Sequence, residues 1–213
     1  MEISKFNNSR RRMQPATCNL PEANLASRNQ KRAWEIIADT GIEDIWRSAG
    51  VEPRLVGSLK TGLLVKHRDI DFHVYSNPVV LANDFAAMAK LAEHPAIKRI
   101  EFADLLDTDE CCVEWHAYYL DRDGELWQID MIHILGGSRY DGYFERMAER
   151  ISEVLTPETR EIILSLKYAT PEGENIMGVE YYQAVLRDGV RTFPDFMAWR
   201  REHPVTGIVE WIP

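Results

Sequence analysis

Residues 55–75 read LVGSLKTGLLVKHRDIDFHVY, from Leu55 to Tyr75. A Gly-Ser pair, Gly57 and Ser58, is followed after ten residues by Asp69-Ile70-Asp71 inside an apolar strand pattern. Side chains on a strand alternate between its two faces, so Asp69, Asp71 and His73 share one face. Ile70, Phe72 and Val74 take the other, which is the face expected to be buried. Two carboxylates about 4 Å apart repel by roughly 4 kcal/mol at an effective dielectric near 20. A strand that sets them side by side calls for a compensating cation. A donor set made only of oxygen suits Mg²⁺ or Mn²⁺, which take one or two carboxylates and fill the remaining positions with phosphate and water.

Outward from this stretch, the chain resolves into three parts. Residues 1–22 form a polar tail, rich in Asn and Arg and without periodicity. Residues 23–135 carry the strand patterns and are expected to form the core domain. Residues 136–213 read as a helical region. A helix starts near Pro21, with Trp34, Ile36, Ile37, Ile42, Ile45 and Trp46 on one face and a break at Thr40-Gly41. Strands are expected over Arg54–Gly57, Asp69–Tyr75, Ile97–Phe102, Cys112–Leu120 and Glu125–Ile134. A helix is expected over Val79–Leu91. The last two strands are joined by a turn of the Asp-Gly type at Asp121–Gly124. Further helices are expected over Tyr140–Leu155, Pro157–Tyr168, Val179–Arg187 and Phe193–Arg200, with Thr156 as an N-cap before Pro157. The order argues an α+β fold: a mixed β-sheet with flanking helices, followed by a C-terminal helical region.

The Gly57-Ser58 pair, the spacer and Asp69-Ile70-Asp71 resemble the signature of the nucleotidyltransferase superfamily, which includes the aminoglycoside and lincosamide nucleotidyltransferases and the DNA polymerase beta-like enzymes. The resemblance covers residues 54–133. It implies transfer of a nucleoside monophosphate from a nucleoside triphosphate, with ATP as the default donor, to a hydroxyl, with loss of pyrophosphate. It also implies that Asp69 and Asp71 hold metal and phosphate oxygens, that Gly57 and Ser58 bind the triphosphate, and that a third acid sits on a later strand. Asp130, in Trp127-Gln128-Ile129-Asp130-Met131, is the third acid the resemblance prefers, since family third acids commonly follow an apolar residue late in the sheet; a carboxylate inside an apolar strand is also costly without a partner. Glu114 competes with it, or lies at the rim where an acceptor binds. Lys60, Lys66, His67 and Arg68 lie between the two halves of the motif and read either as solvated loop charges or as cations for the triphosphate, with Lys60 first because it is nearest Ser58. The resemblance adds Lys167, since related enzymes place a lysine from the C-terminal helices over the nucleotide. Tyr168, Tyr181 and Tyr182 are candidate contacts for the nucleotide. His73 and His133 read as strand histidines.

Composition narrows the partners. The chain has 213 residues and a net charge of -9. That charge disfavours a long nucleic acid, whose binding relies on clustered Lys and Arg. The acidic stretch from Glu101 to Glu125 reads first as a solvated connector and second as an attractant for a cationic acceptor such as an aminosugar. The expected acceptor is therefore a small molecule or a protein. No apolar run is long enough to cross a membrane, and the first twenty residues lack the apolar segment of a secretory signal. Three cysteines, Cys18, Cys111 and Cys112, show no zinc spacing, as expected for reduced thiols in a cytoplasmic protein. A second reading makes the chain a regulatory binding module on the same fold, an antitoxin-like partner without turnover. The oligomeric state is left open.

Overall fold

The computed structural model describes residues 20–213; most of the polar tail, including Arg10–Arg12 and Cys18, lies outside them. The elements run α1 (Pro21–Thr40), α2 (Ile42–Ser48), β1 (Arg54–Leu55), α3 (Gly57–Lys60), β2 (Asp69–Ser76), α4 (Leu81–Ala92), β3 (Ile97–Leu105), β4 (Cys112–Leu120) and β5 (Leu126–Leu135). Then come α5 (Tyr143–Val154), α6 (Pro157–Ala169), α7 (Gly178–Tyr182) and α8 (Phe193–Glu202). Among the described residues the strands form one mixed sheet in the order β1-β2-β5-β4-β3. β2 and β5 are parallel, while β1–β2, β5–β4 and β4–β3 are antiparallel.

The period-two pattern sorts the sheet into two faces. Ile70, Phe72 and Val74 of β2, Trp127, Ile129 and Met131 of β5, and Val113, Trp115 and Ala117 of β4 are almost fully buried. They pack with Trp46 of α2 and Ala87, Met88 and Leu91 of α4 in one core. His133 belongs to this buried face. Its Nδ1 lies 2.9 Å from Asp84 and its Nε2 2.8 Å from Ser76 Oγ, so it is a satisfied structural histidine.

The second core is helical. It gathers Ala26 of α1, Ile151 of α5, Ile163, Leu164 and Leu166 of α6, and Tyr181, Phe196 and Trp199. The short apolar run between the two halves of the motif ties the cores together. Leu63 and Val65 enter the helical core, while Leu64 between them enters the sheet core. The helices hold this run by its backbone. Gln30 Nε2 and Arg160 Nη2 donate to Gly62 O at 3.0 and 3.1 Å, and Lys167 Nζ donates to Leu63 O at 3.0 Å.

Some boundaries differ from those expected. The first strand stops at Leu55, because Gly57 takes φ +66° and starts a single helical turn instead of continuing the ladder. The helix expected from Val79 starts at Leu81. The helix expected over 179–187 changes register, with Gln183–Arg187 forming a π turn closed by Asp188 N–H donating to Gln183 O at 3.1 Å. Thr156 caps α6 by accepting from Thr159 N–H at 3.1 Å.

Candidate functional site

The opposite face of the sheet, partly buried, carries the polar residues that the alternation sets there. In the parallel pairing of β2 and β5, Asp69 lies opposite Gln128, Asp71 opposite Asp130, and His73 opposite Ile132. β4 extends the same rows, with His116 opposite Asp130 and Glu114 opposite Ile132. Asp71 and Asp130 are thus direct neighbours, and Asp69 is two residues up the same face. Glu114 lies one row further along, about 7 Å from the Asp130 row at strand spacing.

The Gly57 turn closes over this row. A Cβ on Gly57 would sit 2.6 Å from Asp71 Cγ and closer still to Oδ2. Ser58 is buried beside it. The Asp71 carboxyl is pushed well above the usual carboxylate range. Burial is the main cause, followed by the charges of Asp69 and Asp130; Lys167 and the Ser58 backbone oppose the shift. Asp69 Oδ1 is buried without a hydrogen-bond partner. Crowded carboxylates, a buried acceptor with nothing to bind and a wholly oxygen donor set fit a hard divalent cation.

Asp130 has two partners that the sequence pattern did not reveal. His116 Nδ1 lies 2.6 Å from Asp130 Oδ1, and Gln128 Nε2 donates to the same oxygen at 2.8 Å. His116 Nε2 lies 3.6 Å from Glu114. Held between two acids, the His116 imidazole is pushed up to about 10, and its hydrogen bond to Asp130 contributes most. Period-two alternation places His116 and Glu114 on one face of β4, but only the register with β5 brings His116 to Asp130. His73, by contrast, is driven down to about 4 by burial and is a neutral imidazole.

On one side of the carboxylates lie two adjoining clefts, the larger of them basic. The larger, about 540 Å³, is lined by Lys66, His67, Arg68, Lys167, Tyr168 and Thr170, among others. The second, about 440 Å³, shares Lys66, His67 and Arg68 and reaches Asp69, Gln128, Asp130 and Asn175. Lys66 Nζ donates to Thr170 O at 2.8 Å and sits 5.2 Å from the centre of the Tyr168 ring. Lys167 Nζ reaches both Leu63 O and, at 3.4 Å, the Tyr182 hydroxyl. Tyr168 is 39% exposed, whereas Tyr181 and Tyr182 are buried in the helical core. Of these three candidate nucleotide contacts, only Tyr168 faces a cleft; the other two pack with the helices. Lys60 is exposed at the end of α3 and is not among the residues lining either cleft.

On the other side is a smaller cavity of about 160 Å³. It is lined by His73, Glu110, Cys112 and Glu114 and by the apolar side chains of Ile132, Ile134, Tyr140, Phe144 and Ile208. Glu110, Cys112 and Glu114 bring one potential ligand atom each to within 4.8 Å of one another.

No protein-family model matches the chain, and no curated protein matches it significantly. Solved structures do. A cytoplasmic RNA terminal U-transferase aligns with a TM-score of 0.50 and 13% identity, over 78% of this chain and 50% of that one. The polymerase core of TRAMP, an RNA surveillance complex, aligns with a TM-score of 0.50 and 17% identity over 78% and 55%. A GLD-2/RNP-8 complex aligns with a TM-score of 0.52 and 7% identity over 88% and 73%. The chain spans half the length of the first of these. What these structures share with the chain is the fold, the polymerase beta-like fold expected from Gly57-Ser58 and Asp69-Ile70-Asp71. No helix among the described residues is long and apolar enough to cross a membrane.

Proposed function

We propose that this chain is a metal-dependent nucleotidyltransferase that moves a nucleoside monophosphate from a triphosphate to a hydroxyl of a small molecule or a protein. The observation that carries this reading is the row of Asp71 beside Asp130, with Asp69 adjacent, under a Gly57 turn and flanked by a basic cleft. Asp69, Asp71 and Asp130 would hold the cation, Mg²⁺ or Mn²⁺. When bound, it supplies charge neutralisation for the attacking and leaving oxygens. Gly57 and Ser58 border the triphosphate, and Gly57 leaves room for its close approach. Lys66, which lines both clefts, and Lys167, which lines the larger one, meet phosphate oxygens, and Tyr168 offers a ring face to the base. Lys60 is the more distant candidate for the phosphates.

In the transfer, the acceptor oxygen bonds to the α-phosphorus in line with the departing group. The bond from that phosphorus to the β-phosphate bridging oxygen breaks, and pyrophosphate leaves with the electron pair. The hydroxyl proton passes to Asp130, whose Oδ1 is already oriented by His116 and Gln128. Before the transfer His116, as a cation, offsets the charges of Asp130 and Glu114 on either side of it.

The test is calorimetric titration of ATP, GTP, CTP and UTP, each with and without Mg²⁺, against wild type and an Asp69→Asn/Asp71→Asn double variant. Mg²⁺-dependent binding of one triphosphate, ATP first, that disappears in the double variant is the expected result. Equal binding by wild type and variant, or none by either, overturns the proposal and favours a regulatory binding module on this fold.

A further inference from the structure

The two sides of the carboxylate row differ in chemistry. The clefts next to Asp69 are lined by Lys66, His67, Arg68 and Lys167 and suit a polyphosphate. The cavity beyond the Asp71–Asp130 row is lined by two acids, Glu110 and Glu114, by His73 and Cys112, and otherwise by aliphatic and aromatic side chains. Its position follows from the register. Ile132, in its wall, is two residues beyond Asp130 on β5, and His73 is two residues beyond Asp71 on β2. A molecule seated there would reach the row over about 7 Å, the span of a few bonds.

Within the cavity, Glu110 and Glu114 approach to within 4.8 Å through their carboxylate oxygens. Glu110 makes no ion pair among the described residues, and Glu114 has one, to His116 Nε2 at 3.6 Å. His73 lines the same cavity and is only 7% exposed, with Nδ1 buried and unpartnered. A buried imidazole nitrogen without a partner costs free energy until something fills the role. The remaining wall is Cys112, Ile132, Ile134, Tyr140, Phe144 and, from the C-terminal segment, Ile208.

We infer that this cavity is the acceptor subsite, and that the acceptor carries an ammonium group on a short apolar body. The inference rests on the transfer reading above. The ammonium sits between Glu110 and Glu114, the apolar body fills the space beside Phe144 and Ile208, and the reacting hydroxyl points back to the Asp71–Asp130 row. A polyanion such as an RNA strand would have to lay phosphates against Glu110 and Glu114, which like-charge repulsion opposes. Ammonium on an apolar stem comes from two sources, a free amine or a lysine side chain of a partner protein, and the test separates them.

The experiment measures binding to the full chain by calorimetry and by isoleucine methyl resonances. The probes are 2-phenylethylamine, its anionic counterpart 3-phenylpropionate, and N-acetyl-lysine methylamide as the lysine side chain. None can accept a nucleotide, so the readout is independent of turnover. We expect 2-phenylethylamine to bind and to shift the Ile132, Ile134 and Ile208 methyls, and 3-phenylpropionate not to bind. We expect Glu110→Gln to weaken the amine at least tenfold while thermal unfolding and Mg²⁺-triphosphate binding stay unchanged. Tighter binding of 2-phenylethylamine than of the lysine probe assigns the site to a free amine, and the reverse order assigns it to a protein lysine. Equal binding of cation and anion, no effect of Glu110→Gln, or displacement of the amine by Zn²⁺ at micromolar concentration would overturn the inference, as would extension of oligo(A) unaffected by the amine. Loss of triphosphate binding alone would sink the transfer reading and leave the ammonium site standing.

Discussion

Gly57 and Asp71 stand so close that no side chain fits between them. A Cβ at Gly57 would come within 2.6 Å of Asp71 Cγ, and the backbone there has φ +66°. Alanine at this position carries about 1–2 kcal/mol of left-handed strain, and it also displaces Asp71. Gly57→Ala is therefore expected to weaken Mg²⁺-triphosphate binding at least tenfold. Gly50 is the control: it has φ +90°, and a methyl group added there would meet nothing within 4 Å. Gly50→Ala should cost similar stability and leave triphosphate binding intact. Calorimetry and thermal unfolding on both variants check this.

Asp71 is the acid that the fold itself disfavours in its charged form. Burial and the neighbouring Asp69 and Asp130 push its carboxyl well above the usual range. Removing the charge relieves repulsion in the metal-free protein. Asp71→Asn should raise the metal-free melting temperature by a few degrees, roughly 1 kcal/mol at this chain length. Wild type should gain stability from added Mg²⁺ and the variant should not. Melting curves with EDTA and with a Mg²⁺ series measure both effects. A lower metal-free melting temperature in the variant would contradict this account of the site.

Lys167 joins two roles in one ammonium group. It fastens the Leu63 carbonyl, and its charge acts on Asp71. Lys167→Met should weaken triphosphate binding by tenfold or more and lower stability by about 1 kcal/mol, through one lost charge-assisted hydrogen bond. Lys66→Met should weaken triphosphate binding through the same cleft. Lys60→Met, at an exposed position, should change binding less than twofold. Calorimetric titration of the three variants ranks the cations.

Much of this was legible in the sequence where a local rule governed the outcome. Alternation set Asp69 and Asp71 on one face of β2 with Ile70 and Phe72 on the other, and set Asp130 of β5 opposite Trp127 and Ile129, because burial of one face leaves no freedom in the pleat. Thr156-Pro157 marked the start of α6 through backbone chemistry confined to one turn. The remainder depends on register and tertiary contact. His116 is one of several polar residues on β4 until pairing sets it beside Asp130. Leu63-Leu64-Val65 reads as a short apolar run, yet its alternation serves two cores at once. Tyr181 and Tyr182 looked available because aromatic residues pack and bind with the same side chains, and only the neighbouring helices decide between the two. The cavity around Glu110 and Glu114 needs Ile208, which comes from nearly a hundred residues further along the chain.

Asp121 gives the fold an acid-sensitive joint away from the carboxylate row. Its Oδ2 accepts from Arg32 Nε at 3.0 Å and Trp127 Nε1 at 3.3 Å, while Oδ1 accepts the amides of Asp123 and Glu125, each at 2.9 Å. Burial raises its pKa, but the Glu125 amide, Arg32 and the Asp123 amide together outweigh burial and hold the carboxyl below its usual value. In the unfolded chain Asp121 titrates near 4. The unfolded state therefore binds the proton first as the pH drops, and stability must fall with it. The contribution is complete above about pH 5 and is lost as the pH falls through the lower, folded-state value. Asp121→Asn should remove this part of the acid dependence, flattening the melting temperature below pH 5 while lowering it at neutral pH. Asp121→Ala should cost about 3 kcal/mol at neutral pH, since it leaves Arg32 and two amides without their acceptor. Melting temperature against pH for wild type and both variants is the measurement, and parallel curves for wild type and Asp121→Asn would show that the acid limb is set by other carboxylates.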